Sequence, residues 1–363
     1  MYKFDEIIDL HLELTSNCQA KCPMCARNHH GGLVNPLIKI QSLNLLDIQK
    51  IIDINFIKQL DTILMCGNFG DPIINDELIP IIKYFVDNNA DIGIDIHTNG
   101  SARSIEWWKT LAKVLPKRHT VHFAIDGLND THHLYRIGTN FDKIIENAKS
   151  FISSGGIARW VFITFKHNEH QLEDAKQMAE ELGFKEFYEK QTSRFIVNPW
   201  FDVLDKDGNF SYKLEPPSNK KTISVKKEDI ENYKEVLNSA TIQCRVKSAK
   251  SIYIDSLGYV WPCCYVGATP YLYSQQTDLT QDYKKYSLNR LNDIIDKFGT
   301  IEDLNLHKKN IKEIVNSDKW QELWDRGIED KLPVCARTCG TFKTPTISQS
   351  KDQFIKLEKF SEQ

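Results

Sequence analysis

The chain contains 363 residues, of which 41% are hydrophobic and 26% are charged, and its formal net charge is −3. This length and composition allow a large buried core, exclude extensive disorder and favour one large domain with a smaller one. The weakly negative charge argues against a nucleic-acid partner, and the lack of a long apolar run or an N-terminal targeting pattern argues against a membrane partner. We therefore expect a cytoplasmic protein.

Strand-like and helix-like segments follow one another through the first half of the chain. Six strands are predicted, at residues 8–14, 62–66, 91–96, 120–125, 159–164 and about 185–195. Amphipathic helices are predicted between them, through residues 45–57, 78–85 and 107–111, around residues 144–145, and at about 170–182. Parallel strands joined by right-handed crossover helices satisfy this order, which predicts an α/β fold, a partial (β/α)6 TIM-like barrel.

The loop after the first predicted strand carries Cys18, Cys22 and Cys25 in a C-x3-C-x2-C spacing. Three thiolates from one short loop can hold three irons of an iron-sulfur cube and leave the fourth iron open to a small molecule. A disulfide framework is disfavoured because nine cysteines without a signal peptide indicate a reducing compartment. Structural zinc, with His29 or His30 as a fourth ligand, and buried cysteines without a metal remain alternatives.

Turn-forming or polar residues also follow the later predicted strands. The second strand ends in residues 67–72, Gly-Asn-Phe-Gly-Asp-Pro, the third in Thr98 and Asn99, and the fourth in Asp126. Because active sites of β/α barrels gather at the carboxyl ends of the strands, we expect these residues and the cysteine loop to share one rim.

The second half of the chain contains another region with clustered cysteines. Residues 198–240 are rich in Pro, Gly, Ser, Lys and aromatic residues, which predicts a linker or an insertion that covers the substrate. Beyond it, short strands at 251–255 and 259–262 predict a hairpin that brings Cys244 and Cys263 together. A helix is predicted near residues 311–324, and residues 346–363 predict a polar tail.

With the cysteine triplet after the first strand and a glycine-rich turn after the second, the sequence resembles the radical S-adenosylmethionine (radical SAM) superfamily over most of its length. The resemblance implies that Cys18, Cys22 and Cys25 bind a [4Fe-4S] cluster whose open iron is chelated by S-adenosylmethionine. An external one-electron reductant such as flavodoxin or ferredoxin would then supply the electron that cleaves the sulfonium bond. The product is a 5'-deoxyadenosyl radical that abstracts a hydrogen atom, so the cofactor performs the difficult chemistry.

The same resemblance implies which residues bind S-adenosylmethionine. Residues 67–72 are similar to the Gly-Gly-Glu-Pro motif that receives the ammonium group, although Asp71 replaces the glutamate and Phe69 replaces the first glycine. Arg136 is expected to bind the carboxylate, because Ala124 stands where a serine is common and a guanidinium pairs well with a carboxylate. The expected cofactor-binding residues are Met24 near the adenine, Gly70, Asp71, Thr98, Asn99, Asp126 and Arg136, and Thr164, Lys166 and Asn168 near the ribose.

The C-terminal cysteines Cys244, Cys263, Cys335 and Cys339 resemble the ligands of SPASM and twitch modules. A full SPASM module has more cysteines, so the shorter twitch arrangement with one auxiliary [4Fe-4S] cluster is implied. Structural zinc remains an alternative for these thiols, and Cys264 is expected to be a spare or alternate ligand. The expected organisation is a radical SAM partial barrel at 1–197, the linker or insertion at 198–240, a small α+β twitch domain at 241–345 and the tail at 346–363.

These expectations predict a radical SAM oxidoreductase that abstracts hydrogen from a polar small molecule or a peptide, with the auxiliary cluster accepting a second electron. Alternatives are a peptide maturase that forms a crosslink or thioether or epimerises a residue, an enzyme that modifies a nucleotide or RNA, and a non-enzymatic metal-binding scaffold. Because the triplet begins at Cys18, we expect no N-terminal leader-binding domain, which counts against the peptide alternative.

Overall fold

The structure, a computed structural model, describes residues 2–190, 195, 200–218, 233–271, 279–329, 331–341 and 353–355. Parts of the predicted linker, 198–199 and 219–232, and of the predicted tail, 346–352 and 356–363, lie outside the described residues. Within the described residues, no helix is both long enough and apolar enough to cross a membrane.

One large sheet organises the fold. In the described part of the chain its nine strands are, in spatial order, Val260–Trp261, Ser251–Ile254, Asp9–Leu12, Thr62–Met65, Gly93–Thr98, His119–Ala124, Ala158–Ile163, Glu186–Lys190 and Gln353–Ile355. The six strands from Asp9–Leu12 to Glu186–Lys190, called the barrel strands, are parallel and follow one another in chain order. This arrangement confirms the predicted partial (β/α)6 TIM-like barrel.

Helices connect the barrel strands and continue into the C-terminal region. The described helices are Leu45–Ile51, Ile54–Gln59, Leu78–Asn88, Ile105–Val114, His132–Tyr135, Phe141–Ser153, Leu172–Glu181, Tyr233–Ser239, Arg245–Ala249, Cys264–Ala268, Leu279–Phe298, Ile311–Asn316, Asp318–Glu329 and Pro333–Cys339. Short 3-10 helices are Phe4–Glu6, Pro72–Ile74, Glu169–Gln171, Thr269–Tyr271 and Ile301–Leu304. Three small ribbons pair Asn28–His29 with Leu33–Val34, Phe201–Leu204 with Phe210–Leu214, and Thr241–Ile242 with Gly340–Thr341.

Two predicted helices are each divided in the structure by a capping residue. The helix predicted over 45–57 breaks before Asp53, whose side chain accepts a hydrogen bond from Phe56 N at 3.0 Å and so begins a second helix. The helix predicted near 311–324 breaks at Ser317, whose hydroxyl accepts from Trp320 N at 3.1 Å. In both places a local cap outweighs a continuous apolar period.

The predicted C-terminal hairpin is present, and it joins the barrel sheet. Residues Tyr253 and Trp261 pair across it, and Gly258 makes the turn with a φ of +81°, which suits a glycine. Its strand Ser251–Ile254 runs parallel to the first barrel strand, so it extends the sheet beyond that strand. No local pattern predicts this pairing, because its partners are separated by more than half of the chain.

The two faces of the barrel strands differ in character. Leu10 and Ile96 lie on the outer face and are buried in the main hydrophobic core. His11, His97 and His122 occupy alternate positions that face the other way, and His97 is exposed. Packed β/α barrels fill their interior with bulky branched side chains, so these imidazoles mark an open, polar lumen.

Candidate functional site

The cysteine loop brings three free thiols to the rim of the barrel. Cys22 is buried, whereas Cys18 and Cys25 are half-buried. Burial raises the pKa of Cys18, and the nearby Asp71, Cys22 and Cys25 raise it further. Burial also raises the pKa of Cys22 to about 11, with a contribution from Cys25 and despite the opposing charge of Arg136. The three sulfur atoms therefore lie within electrostatic range of one another.

Two side chains direct hydrogen-bond donors at these sulfur atoms. Asn99 Nδ2 lies 3.7 Å from Cys18 Sγ, and Arg136 Nη1 lies 3.7 Å from Cys22 Sγ. Hydrogen bonds to sulfur are one of the ways a protein tunes an iron-sulfur cluster, so this donor set fits the predicted cluster. Within the described residues, no three His, Cys, Asp or Glu side chains are gathered as ligands of a single metal ion.

A hairpin from the predicted insertion covers the cysteine loop. Its strands are Phe201–Leu204 and Phe210–Leu214. The ring of Phe201 stacks on His30 with centroids 4.4 Å apart, and His30 O accepts a hydrogen bond from Leu204 N at 2.8 Å. Apolar residues of the hairpin and the loop form one cluster with Cys22, which includes Ala20, Met24, Tyr135, Phe165, Val203 and Leu214. The predicted position of Met24 near the adenine stays a prediction.

The turn after the second barrel strand is fixed by Glu13. One oxygen of this buried carboxylate accepts hydrogen bonds from Phe69 N at 2.9 Å and Gly70 N at 3.0 Å. A Cβ on Gly70 would lie 1.8 Å from Thr15 O, so only glycine fits there. The turn is thus held tightly at the place where the resemblance expects the ammonium group of S-adenosylmethionine.

Asp71 and Asn99, both expected to bind the cofactor, are joined to each other. Asp71 Oδ2 accepts from Asn99 N at 2.7 Å and from Asn99 Nδ2 at 2.6 Å. Burial raises the pKa of Asp71 to about 6, while these hydrogen bonds oppose the rise. Thr98 Oγ1 accepts from Gly100 N at 3.0 Å and shapes the same turn. These residues therefore form one bonded unit beside Cys18.

Arg136 and Asp126 form a buried ion pair at the rim. Arg136 Nε lies 2.5 Å from Asp126 Oδ2, and Asp126 Oδ1 accepts from Ile163 N at 2.6 Å. Asp126 is fully buried, and both of its carboxylate oxygens are engaged within the protein. The carboxylate therefore orients Arg136, and the expected contacts of the two residues with the cofactor stay predictions.

The residues expected near the ribose have other partners in the structure. Thr164 Oγ1 donates to Glu189 Oε1 at 2.7 Å, and the exposed Lys166 pairs with Glu215 at 3.1 Å. Asn168 is fully buried and uses both ends of its amide within its own turn, accepting from the amide of residue 165 and donating to the carbonyl of residue 163. Local turn geometry therefore engages the Asn168 side chain, and the ribose contacts expected of Thr164, Lys166 and Asn168 stay predictions.

The four C-terminal cysteines form a second group of thiols. Burial raises the pKa of Cys335 well above its ordinary value, and Cys263, Cys244 and Cys339 raise it further. Burial also raises the pKa of Cys263 to about 12, with further contributions from Cys244 and Cys339. All four are free thiols, and the short ribbon between residues 241–242 and 340–341 brings the two ends of this region together.

A buried hydrogen-bonded chain runs from the rim toward this second group. Tyr253 donates to Glu13 Oε2, and Asn68 Nδ2 donates both to the Tyr253 hydroxyl at 3.2 Å and to Cys264 O at 2.8 Å. Burial raises the pKa of the Cys264 thiol, and Cys263, Cys66 and Glu13 raise it further. Cys264 thus lies between the barrel and the second group, and its role as a spare or alternate ligand stays a prediction.

Sequence patterns did not single out Glu13 or the inward-facing histidines His11, His97 and His122. Glu13 lies near the end of the predicted strand 8–14, and an acid at the carboxyl end of a strand was the available signal. His11, His97 and His122 occupy alternate strand positions, and their polarity signals an unfilled lumen. Neither signal could be interpreted without knowing which face of each strand points inward.

Comparisons with known proteins agree with this geometry. A protein-family profile described as the Radical SAM superfamily matches residues 12–182. No curated protein sequence matches the chain. Among solved structures, the chain is similar to polyhistidine-tagged anSMEcpe with bound AdoMet at 16% identity and a TM-score of 0.52, covering 92% of this chain and 86% of that one.

Two further structures are similar at this level. Streptococcus suis SuiB has 13% identity and a TM-score of 0.51, with coverage of 95% of this chain and 76% of that chain. Native anSMEcpe with bound AdoMet and the Kp18Cys peptide has 16% identity and a TM-score of 0.51, with coverage of 94% and 93%. Against two ligand-bound SuiB structures, the chain spans 62% and 64% of the SuiB chain, less than two thirds of its length.

At these identities the structural similarity establishes a shared fold. The profile match begins at the end of the first barrel strand and runs through the cysteine loop to the helix after the fifth barrel strand, so it contains the rim described above. Residues 12–182 of this chain therefore form a domain of the Radical SAM superfamily.

Proposed function

We propose that the chain is an oxidoreductase that abstracts a hydrogen atom from a polar small molecule or a peptide and passes a second electron to an auxiliary [4Fe-4S] cluster. The observation that carries this proposal is the presence of two separate groups of free thiols, three at the barrel rim and four in the C-terminal region. All of these cysteines are free thiols, which supports a reducing, cytoplasmic setting. In that setting, flavodoxin or ferredoxin would be the external reductant.

When bound to Cys18, Cys22 and Cys25, a [4Fe-4S] cluster with S-adenosylmethionine supplies one-electron cleavage of the sulfonium bond and a radical that removes hydrogen. Asn99 and Arg136 donate hydrogen bonds to the sulfur ligands and stabilise their charge. The turn at residues 67–72 presents backbone to the ammonium group. The hairpin at residues 201–214 excludes water from the loop, which limits side reactions of a radical.

The second group of thiols fits a role in electron transfer. If Cys244, Cys263, Cys335 and Cys339 all ligate the auxiliary cluster, no iron remains open for the substrate. Net oxidation of a substrate requires loss of a second electron and a proton after hydrogen abstraction, and a fully ligated cluster can accept that electron. Structural zinc at these four thiols is the competing assignment.

The substrate class is open between a small molecule and a peptide. A structure of anSMEcpe contains the Kp18Cys peptide, and its fold is shared by this chain, which keeps a peptide maturase as the second candidate. Polar side chains in the lumen beneath the rim support a small polar substrate, because the imidazoles of His97 and His122 lie among the inward-facing residues. Nucleotide or RNA modification and a metal-binding scaffold remain weaker alternatives.

Anaerobic reconstitution tests the proposal. The wild-type protein should become brown, bind about eight irons, as two [4Fe-4S] clusters require, and form 5'-deoxyadenosine under reductant. A variant with alanine at Cys18, Cys22 and Cys25 should keep about four irons and form no 5'-deoxyadenosine. A variant with alanine at the four C-terminal cysteines should keep about four irons and still cleave S-adenosylmethionine. A colourless wild-type protein containing zinc would contradict the proposal.

A further inference from the structure

The last barrel strand ends in Lys190, whose position lies on the inward face of the sheet. Lys190 is exposed at the carboxyl end of this strand. Phe187 of the same strand is buried in the outer core, so Tyr188 and Lys190 occupy positions of the opposite, inward face. Within the described parts of the chain, no carboxylate lies within ion-pair distance of the Lys190 ammonium.

Several groups across the lumen are affected by the charge of Lys190. Burial is the main cause of the lowered pKa of His97 and of His122, on the third and fourth barrel strands, and the Lys190 ammonium contributes to both. Burial raises the pKa of Cys66, after the second strand, and the same ammonium opposes that rise. By strand alternation, His97, His122 and Cys66 lie on the inward face of the sheet, as Lys190 does, so the ammonium shares the lumen with them.

His97 and His122 are stacked beside this charge. They are register partners on adjacent parallel strands, and their ring centroids lie 4.1 Å apart with planes tilted by 16°. Surrounding protein and the nearby cations favour the neutral form of both rings, and a neutral imidazole retains one N–H donor. The His97 side chain is exposed on the inward face near the carboxyl end of its strand, so a molecule in the lumen can contact it.

Three acidic side chains near the rim are already engaged. Asp126 pairs with Arg136, and Asp71 accepts two hydrogen bonds from Asn99. Glu13 accepts hydrogen bonds from a tyrosine hydroxyl and from two backbone amides. None of these carboxylates is therefore available to balance the charge of a lysine in the lumen.

Other inward-facing acids lie deeper in the barrel, and Asp9, at the start of the first strand, accepts a hydrogen bond from Thr62 Oγ1 at 2.5 Å. Glu186 pairs with Arg159 at 2.7 Å. Asp95 precedes His97 by two residues, further from the rim, and its charge acts on His119 at the start of the next strand. Of the cationic side chains considered on the inward face, Lys190 is the one for which the described residues supply no ion-pair partner.

We infer that Lys190, His97 and His122 form a subsite for an anionic group of the substrate, a carboxylate or a phosphate. Lysine binds such groups as a point charge, and imidazole N–H groups add directional hydrogen bonds. The inference rests on the proposed function in one respect, since it assigns the anion to the substrate of that reaction.

The position of the subsite suits a substrate anchor. His97 precedes Asn99 by two residues, and Asn99 donates to Cys18 Sγ. Two residues along one face of a strand span about 6.6 Å, so the anchor lies roughly one small-molecule length below the cluster ligands. A substrate whose anionic group is bound there would place a carbon atom, several bonds from that group, at the rim.

Lysine labelling tests the site without any turnover. The holoprotein, reconstituted and saturated with S-adenosylmethionine but without an electron donor for the cluster, is treated with pyridoxal 5'-phosphate and cyanoborohydride, and labelled peptides are quantified by mass spectrometry. Lys190 should be labelled about tenfold faster than Lys185, an exposed lysine just before the same strand, because the anionic reagent gathers at the subsite. Inorganic phosphate or acetate should suppress labelling of Lys190 and leave Lys185 unchanged.

Variants separate anion binding from a general effect on folding. By calorimetry, Lys190→Gln should weaken binding of the protective anion by about tenfold, whereas Lys190→Arg should retain it and Lys185→Gln should match the wild type. Protection by phosphate alone identifies a phosphorylated substrate class, and protection by acetate identifies a carboxylate. Equal labelling of both lysines, or protection by neither anion, overturns the inference. Absence of 5'-deoxyadenosine under reductant would instead remove the proposed function, which this labelling does not require.

Discussion

At the scale of single residues, Glu13 connects the turn at residues 67–72 to the C-terminal region. Its carboxylate accepts from two backbone amides of the turn and from Tyr253, all in a buried setting. Glu13→Ala leaves these donors unsatisfied and should lower the free energy of unfolding by about 3 kcal/mol. Glu13→Gln keeps an acceptor and should cost about 1 kcal/mol. Thermal unfolding of the two variants measures the difference, and equal losses would show that the hydrogen bonds are unimportant.

The same carboxylate predicts a pH dependence of stability. Burial raises the pKa of Glu13 from 4.5 to about 7, while its hydrogen bonds oppose the rise. Between these values the folded state binds more protons than the unfolded state, so the stability contribution is present below pH 4.5 and is lost as the pH rises through 7. For the wild type, the urea concentration at the unfolding midpoint should decrease as the pH rises from 4.5 to 7. Glu13→Gln should reduce that slope, and an unchanged slope would assign it to other groups.

Gly70 provides a third test at this scale. Gly70→Ala places a Cβ against Thr15 O and should shift the turn at residues 67–72. If this turn receives the cofactor as proposed, S-adenosylmethionine binding should weaken by about tenfold. Gly155→Ala is the control, because its Cβ meets no atom within 4 Å and any strain from its φ of +94° stays in a turn outside the site. Calorimetry on both variants compares the affinities, and wild-type affinity in Gly70→Ala would mean that this turn does not contact the cofactor.

At the scale of elements, the hairpin at residues 201–214 acts as a cover for the cysteine loop. Phe201→Ala removes its stacking on His30 and should expose the cluster, so bleaching of the reconstituted protein in air should become several-fold faster. Phe210→Ala alters an exposed ring on the partner strand of the same hairpin and should have little effect. Equal bleaching in both variants would show that the hairpin gives no protection.

The elements also show what local sequence could predict. The sequence pattern predicts all six barrel strands, and the cysteine spacing predicts the rim. Both predictions succeed because each signal is contained within a short stretch of the chain. Position after the fifth strand suggested a ribose contact for Asn168, but it did not reveal that a turn consumes the amide. The pairing of His97 with His122 depends on the register between two strands, and register is not encoded within either strand alone.

At the scale of the whole molecule, the C-terminal region completes the barrel sheet. Tyr253 and Trp261 are buried in the same core as the first barrel strand, and the strand Ser251–Ile254 covers its edge. A chain ending at residue 240 would expose this edge and its apolar surface, so it should aggregate. Size-exclusion chromatography of the truncated chain checks this. A monomeric, folded product would support a barrel that is independent of the predicted domain at 241–345.

The pairing of the first barrel strand with Ser251–Ile254 also has a consequence for the order of folding during synthesis. The strand Asp9–Leu12 leaves the ribosome early, but one of its two neighbours emerges only after more than two hundred further residues. Long-range pairing of this kind slows folding and leaves an unpaired edge on the growing chain. The nascent barrel therefore depends on delayed closure, and a pause in translation before residue 251 would prolong its most aggregation-prone state.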